Sequence, residues 1–367
     1  MVVKIRLDKA EALMESKGID SLIITYEPNV FYFTAVPRPG GTYLFLLKDE
    51  KYILSPALDF WRVSEYVRDV EVIPYSGYDI PGVDVKRIAR KLTDWIVQKI
   101  KEGKVNRLGI DLGSGSPFSL RVKERLSGLE VIDVAPDIVD MRVIKDSNEL
   151  SLMREALRIT ESSLTRVVED IRPGLREYEI AGMLEGLMRT NGADGYAFET
   201  IVASGRNAAF PHAVPTTKTV VEGDPIVIDM GARYGGYCAD MTRTPVIGDP
   251  EKELKKIIEA VDEAVNTATD LVAPGVKVSE IDAAAREVLR KNGYGKYFIH
   301  SLGHGVGIEV HEKPRVAQGV DEVLKEGMVI TIEPGVYIYG KYGVRIENMV
   351  VVTKEGHEVL NSVPNII

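Results

Sequence analysis

Two stretches of the chain, RPGLREYEIAGMLEGLMRTNG at residues 172–192 and APGVKVSEIDAAAREVLRKNG at residues 273–293, read as two copies of one design. Each opens on a Pro-Gly stop, carries a Glu-Ile pair inside a helical pattern and closes on Asn-Gly, with the same spacing between these landmarks. Proline cannot continue a helix and glycine readily takes the left-handed conformation that ends one, so each copy is a helix bounded by breakers. A further helix precedes each copy, beginning near Glu149 and Glu253, and the first is opened by Asp146 and Glu149 in the form of a capping box. A helix pair repeated in this way, each copy followed by strand-like runs, predicts an α+β domain of pseudo-twofold symmetry. Helices would cover a curved antiparallel sheet, and a site between the halves would draw ligands from both.

Working outward, the repeated part makes up a C-terminal domain over residues 136–367, and residues 1–135 form a smaller α/β domain. In the latter, LDKAEALMESKG is an amphipathic helix stopped by Gly18, DSLIITY a buried strand and TYLFLLKDEKYILSPAL a hairpin turning at Lys48 to Lys51. VKRIARKLTDWIVQKIKEG, residues 85–103, reads as one long helix, and RLGIDLG as another strand. No constellation of catalytic residue types stands out there.

Composition excludes several classes of function. The chain has 367 residues, of which 45% are hydrophobic and 28% charged, enough apolar mass for packed cores. A net charge of −9 without a basic cluster speaks against a nucleic-acid partner. The N-terminal residues are amphipathic and charged, and no apolar run is long enough to span a membrane, so a soluble cytoplasmic protein is expected. A single cysteine, Cys238, leaves any metal chemistry to oxygen and nitrogen ligands.

Such ligands are present. In PIVIDMGARYGGYCADMTRTPVI two strand-like runs flank RYGG, and Asp229 and Asp240 lie equidistant from a turn centred between Tyr234 and Gly235. In VITIEPGVYIYGKYGVRIENMVVV, Glu333 and Glu347 lie equidistant from Gly340. Each spacing predicts a hairpin that sets two carboxylates face to face within an apolar run, where like charges destabilise the pairing and burial without a cation is costly. A bound cation removes both costs. Arg345 shares the face of Glu347, where it braces a carboxylate or binds substrate.

Between these hairpins in sequence lies HSLGHGVGIEVHE, residues 300–312. Its glycines let the backbone approach another element closely, so that His304 can project between the hairpins as a nitrogen ligand. His311 has the opposite parity on a straight strand and reaches the site only across a bulge or bend. His212, in SGRNAAFPHAVP, taken alone reads as an ordinary loop histidine. The expected ligand set is Asp229, Asp240, His304, Glu333 and Glu347. Its four carboxylates carry a charge that one divalent ion does not neutralise and two do. Oxygen-rich shells suit manganese, cobalt or iron at least as well as zinc, and a two-metal site activates water and polarises a carbonyl for amide or ester hydrolysis.

The strings IDMGARYGGYCADMTRT, HSLGHGVGIEVHE, ITIEPGVYI and GVRIEN resemble, in order, the metal-ligand motifs of the pita-bread metallopeptidases, and the N-terminal region resembles their smaller creatinase-type domain. The resemblance implies the same five ligands, holding two divalent ions with manganese or cobalt ahead of zinc or iron. It also implies that His212 and His311 contact substrate and stabilise the tetrahedral intermediate, that Glu333 carries a proton, and that Arg345 is an active-site arginine of the proline-specific branch. The string YGKYFIHSLGHGVGIEVHE resembles the microbial Xaa-Pro dipeptidases, which implies cleavage of the bond preceding proline in dipeptides by a homodimer. The alternatives are an aminopeptidase acting before proline on longer peptides and, less favoured because all five ligands are present, a non-enzymatic peptide-binding module.

Overall fold

The computed structural model describes residues 6–67, 70–78, 80, 85–89, 91–126 and 128–367. It divides into two compact units, one reaching to Arg142 and the other spanning Val143–Ile367.

The first unit is built on a six-stranded mixed sheet in the order Glu71–Tyr75, Lys51–Pro56, Tyr43–Leu47, Ser21–Ile24, Arg107–Ile110 and Glu130–Asp133. Ser21–Ile24 is buried along its whole length, as its uninterrupted apolar run requires of a central strand. The hairpin turns across residues 48–50 and pairs Leu46 with Lys51, and Ile23, Phe45, Leu54 and Leu108 pack against Leu92, Ile96 and Ile100 of the helix Leu92–Glu102. The long helix expected over residues 85–103 is therefore shorter at its start. Ile88 lies in an extended bridge beside Tyr75, its N–H donating to Pro74 O at 2.9 Å and its carbonyl accepting from Ser76 N at 3.1 Å. A backbone whose hydrogen bonds go to a sheet edge has none left for a helix.

The second unit contains both helix pairs. Ser147–Asp170 and Glu177–Thr190 form the first, Lys252–Thr269 and Val278–Lys291 the second. Asp146 caps the first helix by accepting from Asn148 N and Glu149 N, while Glu149 reaches back to Asp146 N at 2.9 Å. Every strand pairing in this unit is antiparallel. Ile201–Ser204, Ile226–Met230 and Met241–Arg243 form one ladder, and Glu312–Val316, Gly303–Gly305, Val329–Ile332, Asn348–Val352 and His357–Val359 another. Ile257, Val261, Ile281 and Leu289 of the second helix pair bury against Ile330, Ile332, Val350 and Val352 of the sheet. The helices thus cover one side of the strands, and the acidic residues gather where the ladders are interrupted.

Candidate metal centre

Asp229 lies near the end of Ile226–Met230 and pairs with Thr242, not with Asp240. The turn uses Gly235 and Gly236, with φ of 55° and 84°, and joins Tyr234 to Tyr237. Two consecutive positive-φ residues are what a tight hairpin turn demands, and the Gly-Gly pair supplies them one position later than the centre expected from the spacing. The resulting shift of two residues keeps Asp229 and Asp240 on one face. Asp240 itself falls in a break between Tyr237–Cys238 and Met241–Arg243. At Gly231 the strands pinch so tightly that a Cβ would stand 2.0 Å from Ala239 O, which only glycine permits.

The second carboxylate pair has the register its spacing predicts. Ile332 pairs with Asn348 and Gly335 with Arg345, so Glu333 and Glu347 oppose each other between two ladders that share a turn at Gly340. The strand Met241–Arg243, which follows Asp240, is stitched to this hairpin: Glu347 N donates to Thr242 O at 3.1 Å and Thr242 Oγ1 to Glu347 Oε2 at 2.8 Å.

The glycines around His304 act as expected. A Cβ at Gly303 would meet Thr331 O at 2.0 Å, and one at Gly305 would meet Lys313 O at the same distance, so the strand lies against both neighbours. His304 Nδ1 donates to Gly305 O at 3.1 Å, which leaves Nε2 as a bare lone pair 3.5 Å from both Asp240 Oδ2 and Glu333 Oε1. Burial and the neighbouring His311 depress the imidazole to about 4, holding it in the neutral form that binds metals. The register breaks between His304 and Gly305, and beyond that bulge the chain returns His311 to stack edgewise on His304, with centroids 4.4 Å apart.

Ligand atoms of Asp240, His304 and Glu347 lie within 4.8 Å of one another. Burial, and next the charge of Glu347, push Asp240 and Glu333 well above the usual carboxylate range. Burial and then Asp229 push Glu347 up to about 8. Asp229 Oδ2 accepts from Arg345 Nη2 at 2.6 Å, whereas its Oδ1 is buried with no hydrogen-bond partner. An orphaned acceptor, three carboxylates that repel one another and a neutral imidazole form a donor set that fits divalent cations.

A cavity of about 460 Å³ is lined by all eight residues singled out from the sequence, Asp229, Asp240, His304, Glu333, Glu347, His212, His311 and Arg345. His212 sits exposed on its wall, and Phe198 and Ile201 give it an apolar side. Three contributors escaped sequence reasoning. Thr242 holds Glu347, and Tyr337 accepts from Arg345 Nη1 at 2.9 Å. The Tyr337 hydroxyl in turn lies 3.0 Å from His300 Nε2, whose Nδ1 donates to Ser301 O. The one available signal was the bare backbone facing Tyr337: a Cβ at Gly335 would come within 2.4 Å of its hydroxyl.

This chain belongs to a family of two-domain metallopeptidases: residues 151–354 match metallopeptidase family M24, and residues 6–144 match the creatinase/prolidase N-terminal domain. It is 39% identical over 354 residues, 96% of this chain and 97% of the other, to an Xaa-Pro dipeptidase of Pyrococcus furiosus. Its fold is similar to that of an X-Pro aminopeptidase from Thermotoga maritima, with a TM-score of 0.89, 32% identity and coverage of 98% and 99% of the two chains. It is also similar to a prolidase from Pyrococcus horikoshii, with a TM-score of 0.87, 36% identity and coverage of 98% of each chain. The pita-bread architecture implied by the motif resemblance is thereby established.

Proposed function

We propose that the protein is an Xaa-Pro dipeptidase in which Asp229, Asp240, His304, Glu333 and Glu347 hold two divalent ions, manganese or cobalt ahead of zinc or iron. The observation that carries this reading is the buried cluster itself, four carboxylates and a neutral imidazole lining one cavity, with Asp229 Oδ1 unpartnered. Bound divalent ions supply an acidified water at neutral pH and polarise the scissile carbonyl.

The residues of the chain do the rest. Arg345, held by Tyr337 and by Pro211 O, fixes Asp229 in a single orientation. His212 and His311 line the same cavity as the carboxylates and donate to the substrate carbonyl oxygen as it gains charge. Glu333, as the motif resemblance implies, takes the proton of the attacking water and returns it to the leaving proline nitrogen. The protein acts as a cytoplasmic homodimer on proline-containing dipeptides, and residues 1–135 limit substrate length.

A second reading, an aminopeptidase acting before proline on longer peptides, is favoured by the likeness to the Thermotoga maritima structure. Stripping the metal, restoring manganese, cobalt or zinc, and assaying a Xaa-Pro dipeptide beside a Xaa-Pro-Xaa tripeptide separates the two. Cleavage of the dipeptide alone is expected; cleavage of the tripeptide alone would establish the aminopeptidase. Hydrolysis of neither with any metal would leave a peptide-binding module.

A further inference from the structure

His212 reaches the cavity wall from a loop, residues 205–216. Its opening 3₁₀ turn, Gly205–Ala209, is packed, with Gly205, Ala208 and Ala209 buried, whereas Phe210 and Val214 on either side of His212 are 48% and 74% exposed. With so little apolar burial beside the histidine, its placement depends on how the loop is held at its ends, and a substrate contact displaced by about 1 Å can cost about a hundredfold in rate. Something must fix its ends.

One carboxylate does. Glu177, fully buried at the first position of the helix Glu177–Thr190, collects six hydrogen bonds from both ends of the loop. Its Oε1 accepts from Ser204 N at 2.7 Å and Ser204 Oγ at 2.9 Å. Its Oε2 accepts from Thr216 N at 3.0 Å and from Thr216 Oγ1 at 2.6 Å. Asn207 Nδ2 lies 3.1 Å from both oxygens. Glu177 forms no ion pair among the described residues; what stabilises its charge is this set of donors and the positive end of its own helix. Lys218 supports the arrangement from behind, its Nζ 2.9 Å from Ser204 Oγ and 2.7 Å from Asp224 Oδ2. The middle of the loop is tied at a single point to the centre itself, where Arg345 Nη1 donates to Pro211 O at 3.2 Å.

The repeated helix pair gives this a counterpart. Asp282, buried on the second helix of the other pair, accepts from Leu302 N at 3.1 Å, and its ion-pair partner Arg286 donates to Phe298 O and His300 O. Each half thus uses a buried carboxylate on its second helix to anchor the segment that enters the site. In the first half that segment carries no proposed metal ligand and meets the centre only through Pro211 O on Arg345, so its anchoring bears first on the substrate contact.

We infer that Glu177 is the positioning residue for His212: it acts on the reaction by stapling the two ends of the loop 205–216. The inference rests on the reading of His212 as a substrate contact. Its test is a double-mutant cycle of Glu177→Gln and His212→Ala, with kcat/KM on a Xaa-Pro dipeptide and manganese affinity measured for each variant. Glu177→Gln exchanges an all-acceptor carboxylate for an amide with one acceptor oxygen. It is expected to lower kcat/KM by about a hundredfold and leave manganese affinity unchanged. In the His212→Ala background the same change is expected to cost less than about threefold, because both variants remove the same contact.

An equal loss in both backgrounds, or a matching fall in manganese affinity, would overturn the inference while leaving His212 its role. An inert His212→Ala, or a wild-type protein without activity on the dipeptide, would overturn the functional reading and the inference together. Should Glu177→Gln fail to fold, the pair Asn207→Ala and Thr216→Val removes the staple from the loop side with the carboxylate intact, and the same outcomes apply.

Discussion

The carboxylates brought into the cavity fall into two groups that treat buried charge in opposite ways. Asp229 is ion-paired to Arg345, a residue 3% exposed and further held by Tyr337. Asp240, Glu333 and Glu347 have no Lys or Arg ion-pair partner among the described residues, and all three are pushed upward by burial and by neighbouring carboxylates, Asp229 among them. Buried charges without counterions are among the most destabilising features a fold can carry. The contrast leaves one carboxylate neutralised by the chain and three without a counter-charge from it.

Removing a carboxylate from the unpaired group is expected to have the largest effect. Asp240→Asn should lower kcat/KM by about a thousandfold, the several kcal/mol that metal-assisted polarisation contributes, with manganese affinity falling in parallel on calorimetric titration. The protein itself should fold, because the repulsion at that position is relieved.

Disturbing the paired side should cost less. Arg345→Met strands Asp229 without its partner and frees it to rotate, which for groups that orient a metal ligand corresponds to about ten- to a hundredfold in metal affinity. Arg345→Lys should recover only part of this, since an ammonium cannot reproduce the fork that reaches Asp229, Tyr337 and Pro211 O together. A full recovery would show that charge alone matters there and would erase the contrast between the paired and the unpaired carboxylates.

The smallest effect lies in stability. With the folded-state value of Glu347 raised to about 8 from the ordinary 4.5, the metal-free protein takes up a proton that the unfolded chain does not. The stability this provides is complete at pH below about 4.5 and is lost as pH rises through about 8. Bound metal abolishes that loss, so the melting-temperature gap between loaded and stripped protein should widen by a few degrees from pH 5 to pH 8. A constant gap would mean that the three carboxylates are not waiting for cations.

Much of this arrangement was legible in the chain because it is local. Gly340 sits midway between Glu333 and Glu347, and an uninterrupted ladder on either side turns that symmetry into facing side chains. The same reasoning missed the Asp229 register by two residues, because Tyr-Gly-Gly offers two turn centres and the close approach at Gly231 breaks the ladder beyond it. Parity survived the shift, and with it the face. The segment around Ile88 carries a helical pattern that a sheet edge overrides. The His300–Tyr337 contact and Glu177 were invisible for a different reason: the partners are distant in sequence, and no periodicity encodes a hydrogen bond from Thr216 to Glu177. His311 needed a bulge whose place the glycines between it and His304 could not specify.

The central claim is that three unpaired carboxylates, with Asp229 and His304, hold two divalent ions. The most direct test counts them, by elemental mass spectrometry on protein stripped of metal, reloaded with manganese and freed of excess. The account predicts two manganese ions per chain in the native protein and a lower number in Asp240→Asn. A native protein that retains none, or that retains the same number when Asp240 is changed, would contradict it.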